Sequence, residues 1–196
     1  LQAESAESEG FTLRVRAIID ESRFEFGTGL FGSYNIDNVR AAMATGLLFG
    51  VPEREIVDAI ASYRPANNRS QVVDTGRNII ICDAYNANPS SMEKAIASFA
   101  SLKSEKKMVI LGDMLELGSE SEAGHASVVR HLESLGNARI LLAGPQFRQA
   151  AAGTRALLFG SSEEVAEWLR MNRPEGHAIL VKGSRGMMME KVFSLL

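Results

Sequence analysis

The sequence predicts an α/β fold, Rossmann-like, with a mostly parallel sheet and helices on both faces. Three observations predict it. Beyond residue 70, short apolar runs alternate with helical patterns, the order of a parallel sheet built from crossover units. The runs NIIIC, MVIL, ILLA and AILV are almost wholly apolar, as strands covered on both faces must be. Right-handed crossovers then wind the chain to both sides of the sheet.

The elements follow in order. Residues 1–10 read as a frayed end or loop. Two alternating stretches, Thr12 to Ile18 and Ser22 to Phe26, read as short strands. A glycine-rich break spans 27–33. From Asn35 the spacing turns helical, with Val39, Ala42, Met43 and Leu47 on one face, Gly50 as C-cap and Pro52 beyond it. A second helix covers 52–63, with Glu53 and Glu55 early, where the helix dipole favours acids. RPANNRS (64–70) has no periodicity and reads as the domain boundary, which divides the chain into 1–66 and 67–196. Few contacts are expected to cross it.

The second unit opens with a strand, a turn at Asp74–Gly76 and another strand. Then come a helix (89–102), a strand through MVIL, a helix (119–136) closed by Gly136, and a strand (138–144). A short helix, the strand ALLF, a helix with Ser161 and Glu164 as a capping box, the strand AILV and a final helix from Met187 complete the chain.

Composition narrows the function. The 196 residues are 45% hydrophobic and 23% charged, an ordinary globular balance. The net charge of −3 gives no case for nucleic acid as partner. No apolar run approaches the ~18 residues of a membrane span. Cys82 is the only cysteine, so an internal disulfide is impossible, which fits a reducing cytoplasm. The acidic opening LQAESAESEG does not read as a signal peptide, and a start at Leu1 reads as a fragment of something longer.

In an open parallel sheet, ligands bind beyond the carboxyl ends of the strands. Three polar loops fall there: Asp83, Tyr85, Asn86 and Asn88 after NIIIC; Asp113 and Glu116 after MVIL; Lys182, Ser184 and Arg185 after AILV. Strand ends become polar in any case, so the convergence of three loops carries the argument. KGSRG, with two cations and backbone N–H groups, suits a carboxylate or a phosphate. Asn35 and Asn38 can face one ligand from the first turn of a helix, as an adenine edge requires, or one of them can be a plain N-cap. Arg69 can hold a phosphate or an interdomain carboxylate.

Other residues read more plainly. His125 lies within a helix and, like His131 and His177, reads as structural on residue type alone. Cys82 reads as a buried small hydrophobe. No His, Cys, Asp and Glu set has metal-site spacing. The sequence has no GxxxxGK[ST], no GxSxG and no dinucleotide glycine fingerprint.

Taken together, five stretches resemble the Mur ligases: YNIDN before an Ala-rich helix, YRPANNRSQ, DAYNANPSSM, LGDMLELG with a later His, and VKGSRGMMMEKV. The similarity runs from about residue 26 to the end; at Tyr34 several relatives have His. DAYNANPSSM and KGSRG resemble the branch that adds D-Ala-D-Ala to UDP-N-acetylmuramoyl-tripeptide (UDP-MurNAc-tripeptide) in peptidoglycan synthesis.

The resemblance implies an ATP-dependent ligase that works through an acyl phosphate. Residues 1–66 would be the tail of its central ATP-binding domain and 67–196 its C-terminal Rossmann-like domain. It implies ATP contacts at Asn35, Asn38, Arg69 and Asp83. It implies substrate contacts at Asn86, Asn88, His125, Lys182, Ser184 and Arg185. The phosphate-binding loop and the Mg²⁺ ligands would lie upstream of Leu1. This portion alone is therefore expected to be inactive and to hold no ATP or Mg²⁺ tightly. A monomer in the cytoplasm, with small-molecule substrates, is the expected state. The alternatives are a single-amino-acid-adding Mur ligase, a folylpolyglutamate synthase, and a non-enzymatic Rossmann-like binding module.

Overall fold

The computed structural model describes residues 1–6 and 10–196. Strands β1 (Gln2–Ala6), β2 (Arg14–Ile19) and β3 (Ser22–Gly27) form an antiparallel sheet in that order. The loop expected over 1–10 is thus a strand at Gln2–Ala6, paired from Gln2↔Ile18 to Ala6↔Arg14; residues 7–9 lie outside the described residues. β2 alternates as its sequence predicts. Val15, Ala17 and Ile19 are buried, and Arg14, Arg16 and Ile18 face out.

The buried face of this sheet packs on α1 (Ile36–Leu48) and α2 (Glu53–Ser62) through Val39, Met43, Ile56 and Val57. Ala42, expected on that face, is exposed. α1 ends in a Schellman arrangement. Gly50 at φ 71 donates its N–H to Leu47 O, and Val51 donates to Gly46 O.

The larger sheet has six strands: β4 (Gln71–Asp74), β5 (Ile79–Asp83), β6 (Lys107–Gly112), β7 (Arg139–Ala143), β8 (Leu157–Phe159) and β9 (Ala178–Lys182). Their order is β4-β5-β9-β6-β7-β8; β4 is antiparallel to β5 and all other pairs are parallel. Side-chain alternation feeds two cores, which explains the continuous apolar runs. Ile81, Val109, Leu111, Leu142 and Leu180 meet α3 (Pro89–Ala100), α4 (Ser121–His131) and α5 (Pro145–Ala150). Ile80, Ile110, Leu141, Ile179 and Val181 meet α6 (Ser162–Met171) and the C-terminal turns.

Two local expectations change. The final helix is instead two 3₁₀ segments, Arg185–Met187 and Met189–Leu195, broken at Met188 by a left-handed φ of 49. The Ser161–Glu164 pair is half a capping box. Ser161 Oγ accepts from Glu164 N–H at 3.4 Å, but the Glu164 carboxylate takes the N–H of Gly160 at 2.7 Å.

The linker is also better anchored than expected. Phe31 is buried in the core of the larger sheet, and its N–H donates to Ser70 O. Asn35 Nδ2 donates to Ser70 Oγ at 3.0 Å, and the Tyr34 hydroxyl lies 3.3 Å from the same oxygen. Burial, and then the charge of Asp83, pushes the Tyr34 phenol upward.

Candidate functional site

Strands β5, β9 and β6 end side by side, with Asp83 opposite Lys182 and Lys182 opposite Leu111. The three loops singled out in the sequence therefore leave the sheet at one rim. Two glycines let two of those loops touch. A Cβ on Gly183 would lie 3.1 Å from Gly112 Cα, and one on Gly112 would lie 2.7 Å from Met189 Sδ.

At the centre of the rim is an ion pair. Lys182 Nζ donates to Asp83 Oδ2 at 2.7 Å and to Asn86 O at 3.1 Å. The Lys182 side chain is 3% exposed and that of Asp83 13%. Asp83 Oδ1 accepts the N–H of Ser70 at 2.9 Å, so one carboxylate joins the linker to the central strand. Lys182 is thus engaged inside the protein and does not present its ammonium to solvent.

Two cations do face outward. Arg69, on the linker, stacks its guanidinium 3.6 Å from the centroid of the Tyr85 ring. Arg185, on the loop after β9, lies 5.3 Å from the same centroid. Both arginines are exposed, and among the described residues no carboxylate pairs with either. The hydrogen-bonding capacity of Arg69 and its charge, followed by the charge of Arg185, hold the Tyr85 phenol below the usual tyrosine value. Tyr85 stood in the sequence only as one polar group of its loop; its signal was a position between Asp83 and Asn86.

The other predicted residues divide by their hydrogen bonds. Asn86 is exposed, with Oδ1 accepting from Ala87 N–H. Asn88 is the N-cap of α3. Its Oδ1 accepts from Ser91 N–H at 2.9 Å, and Ser91 Oγ accepts from the Asn88 N–H. Ser184 is buried, and its Oγ accepts from Leu115 N–H.

His125 is fully buried and lies edge-on to Phe147 at 4.7 Å. Its Nε2 accepts from Met114 N–H at 3.0 Å, so Nδ1 carries the proton and donates to Ser121 O at 2.7 Å. Both ring nitrogens are thereby spent on backbone groups, one on the loop after β6 and one in the first turn of α4. Beside it, Asp113 is fully buried and caps α5 by accepting from Gln146 and Phe147 N–H. Gly144 at φ 116 is required here, because a Cβ would sit 2.3 Å from that carboxylate. The remaining histidines are away from the rim: His131 Nδ1 lies 2.9 Å from Ser127 O and His177 Nδ1 2.9 Å from Glu175 O.

Asn35 and Asn38 do not present two amides to one ligand. Asn35 is 4% exposed and donates to Phe31 O and Ser70 Oγ, while its Oδ1 accepts from Asn38 Nδ2 at 2.8 Å. Only Asn38 is exposed. Cys82 is buried, and burial followed by the charge of Asp83 pushes its thiol up to about 12, so it stays protonated near neutral pH. Among the described residues no three His, Cys, Asp or Glu side chains gather as metal ligands, and no helix is long and apolar enough to cross a membrane. Chemically, the rim presents two exposed guanidiniums above a neutralised pair.

Comparison with known proteins agrees with this fold. The model of the Mur ligase, glutamate ligase domain matches residues 68–185. The UDP-N-acetylmuramoyl-tripeptide–D-alanyl-D-alanine ligase of Bacillus subtilis is 30% identical over 98% of this chain, which spans 43% of that relative's length. The crystal structure of MurF from Acinetobacter baumannii superposes with a TM-score of 0.79 at 28% identity, over 94% of this chain and 42% of that one. MurF ligase from Thermotoga maritima in complex with ADP shares the fold, with a TM-score of 0.78 at 20% identity, over all of this chain and 44% of that one. The family model covers more than half of the chain, residues 68–185, and with the six-stranded sheet it spans shows that this chain belongs to the Mur ligase family.

Proposed function

We propose that the chain is the C-terminal portion of an ATP-dependent ligase that joins D-Ala-D-Ala to UDP-MurNAc-tripeptide. The observation that carries the reading is the pair of exposed guanidiniums, Arg69 and Arg185, on the rim where the family motifs converge. The Bacillus subtilis relative supports the choice of branch, since it bears this activity in its name. Residues 1–66 are the end of the nucleotide-binding domain and 67–196 the C-terminal domain. The protein works in the cytoplasm as a monomer.

The residues present fit part of the nucleotide. Asn38 offers an exposed amide to an adenine edge, and Arg69 offers a guanidinium to a phosphate. They do not fit Mg²⁺, for which the described residues gather no ligand set. ATP supplies the phosphoryl group that activates the acceptor carboxylate. In this chain, Arg185 meets an oxyanion of the incoming substrate. A charge-assisted hydrogen bond of this kind contributes about 1.5–3 kcal/mol. Lys182, Asp83, Ser184 and His125 act one step removed. They hold the rim loops in register, so that a reacting amine and carboxyl can be brought within about 3–3.5 Å.

The test is amine selection by the full-length protein. Incubated with UDP-MurNAc-tripeptide, ATP, Mg²⁺ and an equimolar panel of D-Ala-D-Ala, D-Ala, L-Glu and meso-diaminopimelate, it should yield one product by mass spectrometry, extended by the dipeptide. Extension by a single amino acid in its place would overturn the assignment.

A further inference from the structure

We propose that Tyr85 is a positioning residue that holds Arg69 and Arg185 side by side on the rim, where they face the oxyanions of the substrates. The inference rests on the reading of the rim given above and names a residue that reading leaves without a role.

Arg69 and Arg185 come from places 116 positions apart in the chain, one on the linker and one on the loop after β9. Like charges on neighbouring loops separate unless something holds them. The structure offers no acid for that task. Asp83 is committed to Lys182 and to Ser70 N–H, and among the described residues no other carboxylate pairs with either arginine. The element common to both is the Tyr85 ring, 3.6 Å from one guanidinium carbon and 5.3 Å from the other. The negative face of an aromatic ring attracts cations and leaves their outward N–H groups available to a ligand. A carboxylate in the same place would neutralise them.

Backbone geometry points the same way. Arg69 lies between Asn68 at φ 57 and Ser70 at φ 49, two left-handed residues that are not glycine. Ser70 is fixed by Asp83, Asn35 and Phe31. The linker therefore delivers Arg69 to one spot, and Tyr85 supplies the surface that stops it there. Two planar donors converging on one ring suit an oxyanion with several oxygens, whether a nucleotide phosphate or the dipeptide carboxylate.

The experiment is steady-state kinetics on the full-length protein carrying Tyr85→Ala, Tyr85→Phe, Arg69→Ala, Arg185→Ala and Arg69→Ala/Tyr85→Ala. KM for ATP and KM for D-Ala-D-Ala are measured separately, so the two sources of oxyanion are told apart. Tyr85→Ala should raise the KM that Arg69→Ala raises, by roughly three- to tenfold, with kcat little changed. Tyr85→Phe keeps the ring and should restore KM to within about twofold. The double variant should fall well short of the product of the two single effects. The proposal is overturned by multiplicative effects in the double variant, by Tyr85→Phe as damaging as Tyr85→Ala, or by a lowered Tm with both KM values unchanged. If both arginine variants leave both KM values unchanged, the reading of the rim falls and Tyr85 with it. If they raise KM and Tyr85→Ala does not, the positioning role alone is wrong.

Discussion

Replacing Lys182 by methionine separates an internal lysine from a substrate-binding one. Its side chain is 3% exposed on the central strand β9, and it donates to Asp83 and to the Asn86 carbonyl. Methionine keeps most of the apolar stem, so little cavity forms and the change isolates the charge. Removing one partner of a buried pair generally costs about 3–5 kcal/mol, because the other charge is left uncompensated. Asp83 retains the Ser70 N–H bond and is 13% exposed, which places the loss at the lower end, ~3 kcal/mol. For a chain of this size that is a fall in Tm of about 6–12 °C.

Thermal and urea melts of the 196-residue chain at pH 7 would read it. Adding Asp83→Asn should recover more than half of the loss, since no buried charge then lacks a partner and the amide oxygen can still accept from Ser70. A loss below about 1 kcal/mol, as for an exposed pair, would refute the burial argument. Additive losses in the double variant would refute the pairing.

Three further outcomes are expected. Titration calorimetry of this chain with Mg-ATP should show no micromolar binding, because the sequence holds no GxxxxGK[ST] loop to cradle the phosphates; micromolar affinity would show that such a loop is not needed. Limited trypsin digestion should spare the Arg69–Ser70 bond, because Ser70 is buried and held by Asp83, Phe31 and Asn35; a first cut at Arg69 would contradict that anchoring. Iodoacetamide at pH 8 should leave Cys82 unlabelled until urea unfolds the chain, since the thiol is buried and raised to about 12; rapid labelling of the folded chain would contradict that environment.

The sheet was legible in the sequence because its strands are covered on both faces. Apolar runs such as MVIL and AILV have no amphipathic alternative, and Gly50 and Gly136 mark helix ends at positive φ. β1 was not legible. Gln2–Ala6 is polar and becomes a strand only by pairing with β2, a nonlocal event with no local signature. The last segment has helical composition, but its left-handed Met188 answers to packing of Met189 and Val192 against β9 and α6.

At the site, the sequence located the loops and misjudged which atoms are available. Lys182 and Asp83 are 99 positions apart, so neither advertises the other. His125 looked like a ligand through family resemblance, whereas residue type alone favoured the structural role that its two ring hydrogen bonds give it. Ser70 went unremarked, yet its backbone and hydroxyl tie Phe31, Asn35 and Asp83 together, because the linker conformation that exposes those groups is set by tertiary contacts.

Arg185→Ala in the full-length protein asks whether the exposed guanidinium on the loop after β9 binds the incoming dipeptide. The KM for D-Ala-D-Ala should rise by roughly ten- to a hundredfold for one lost charge-assisted bond, with a smaller change in KM for ATP and an unchanged Tm. A dipeptide KM within about twofold of the parent, with a lowered Tm, would contradict it and make Arg185 a structural residue of the loop after β9.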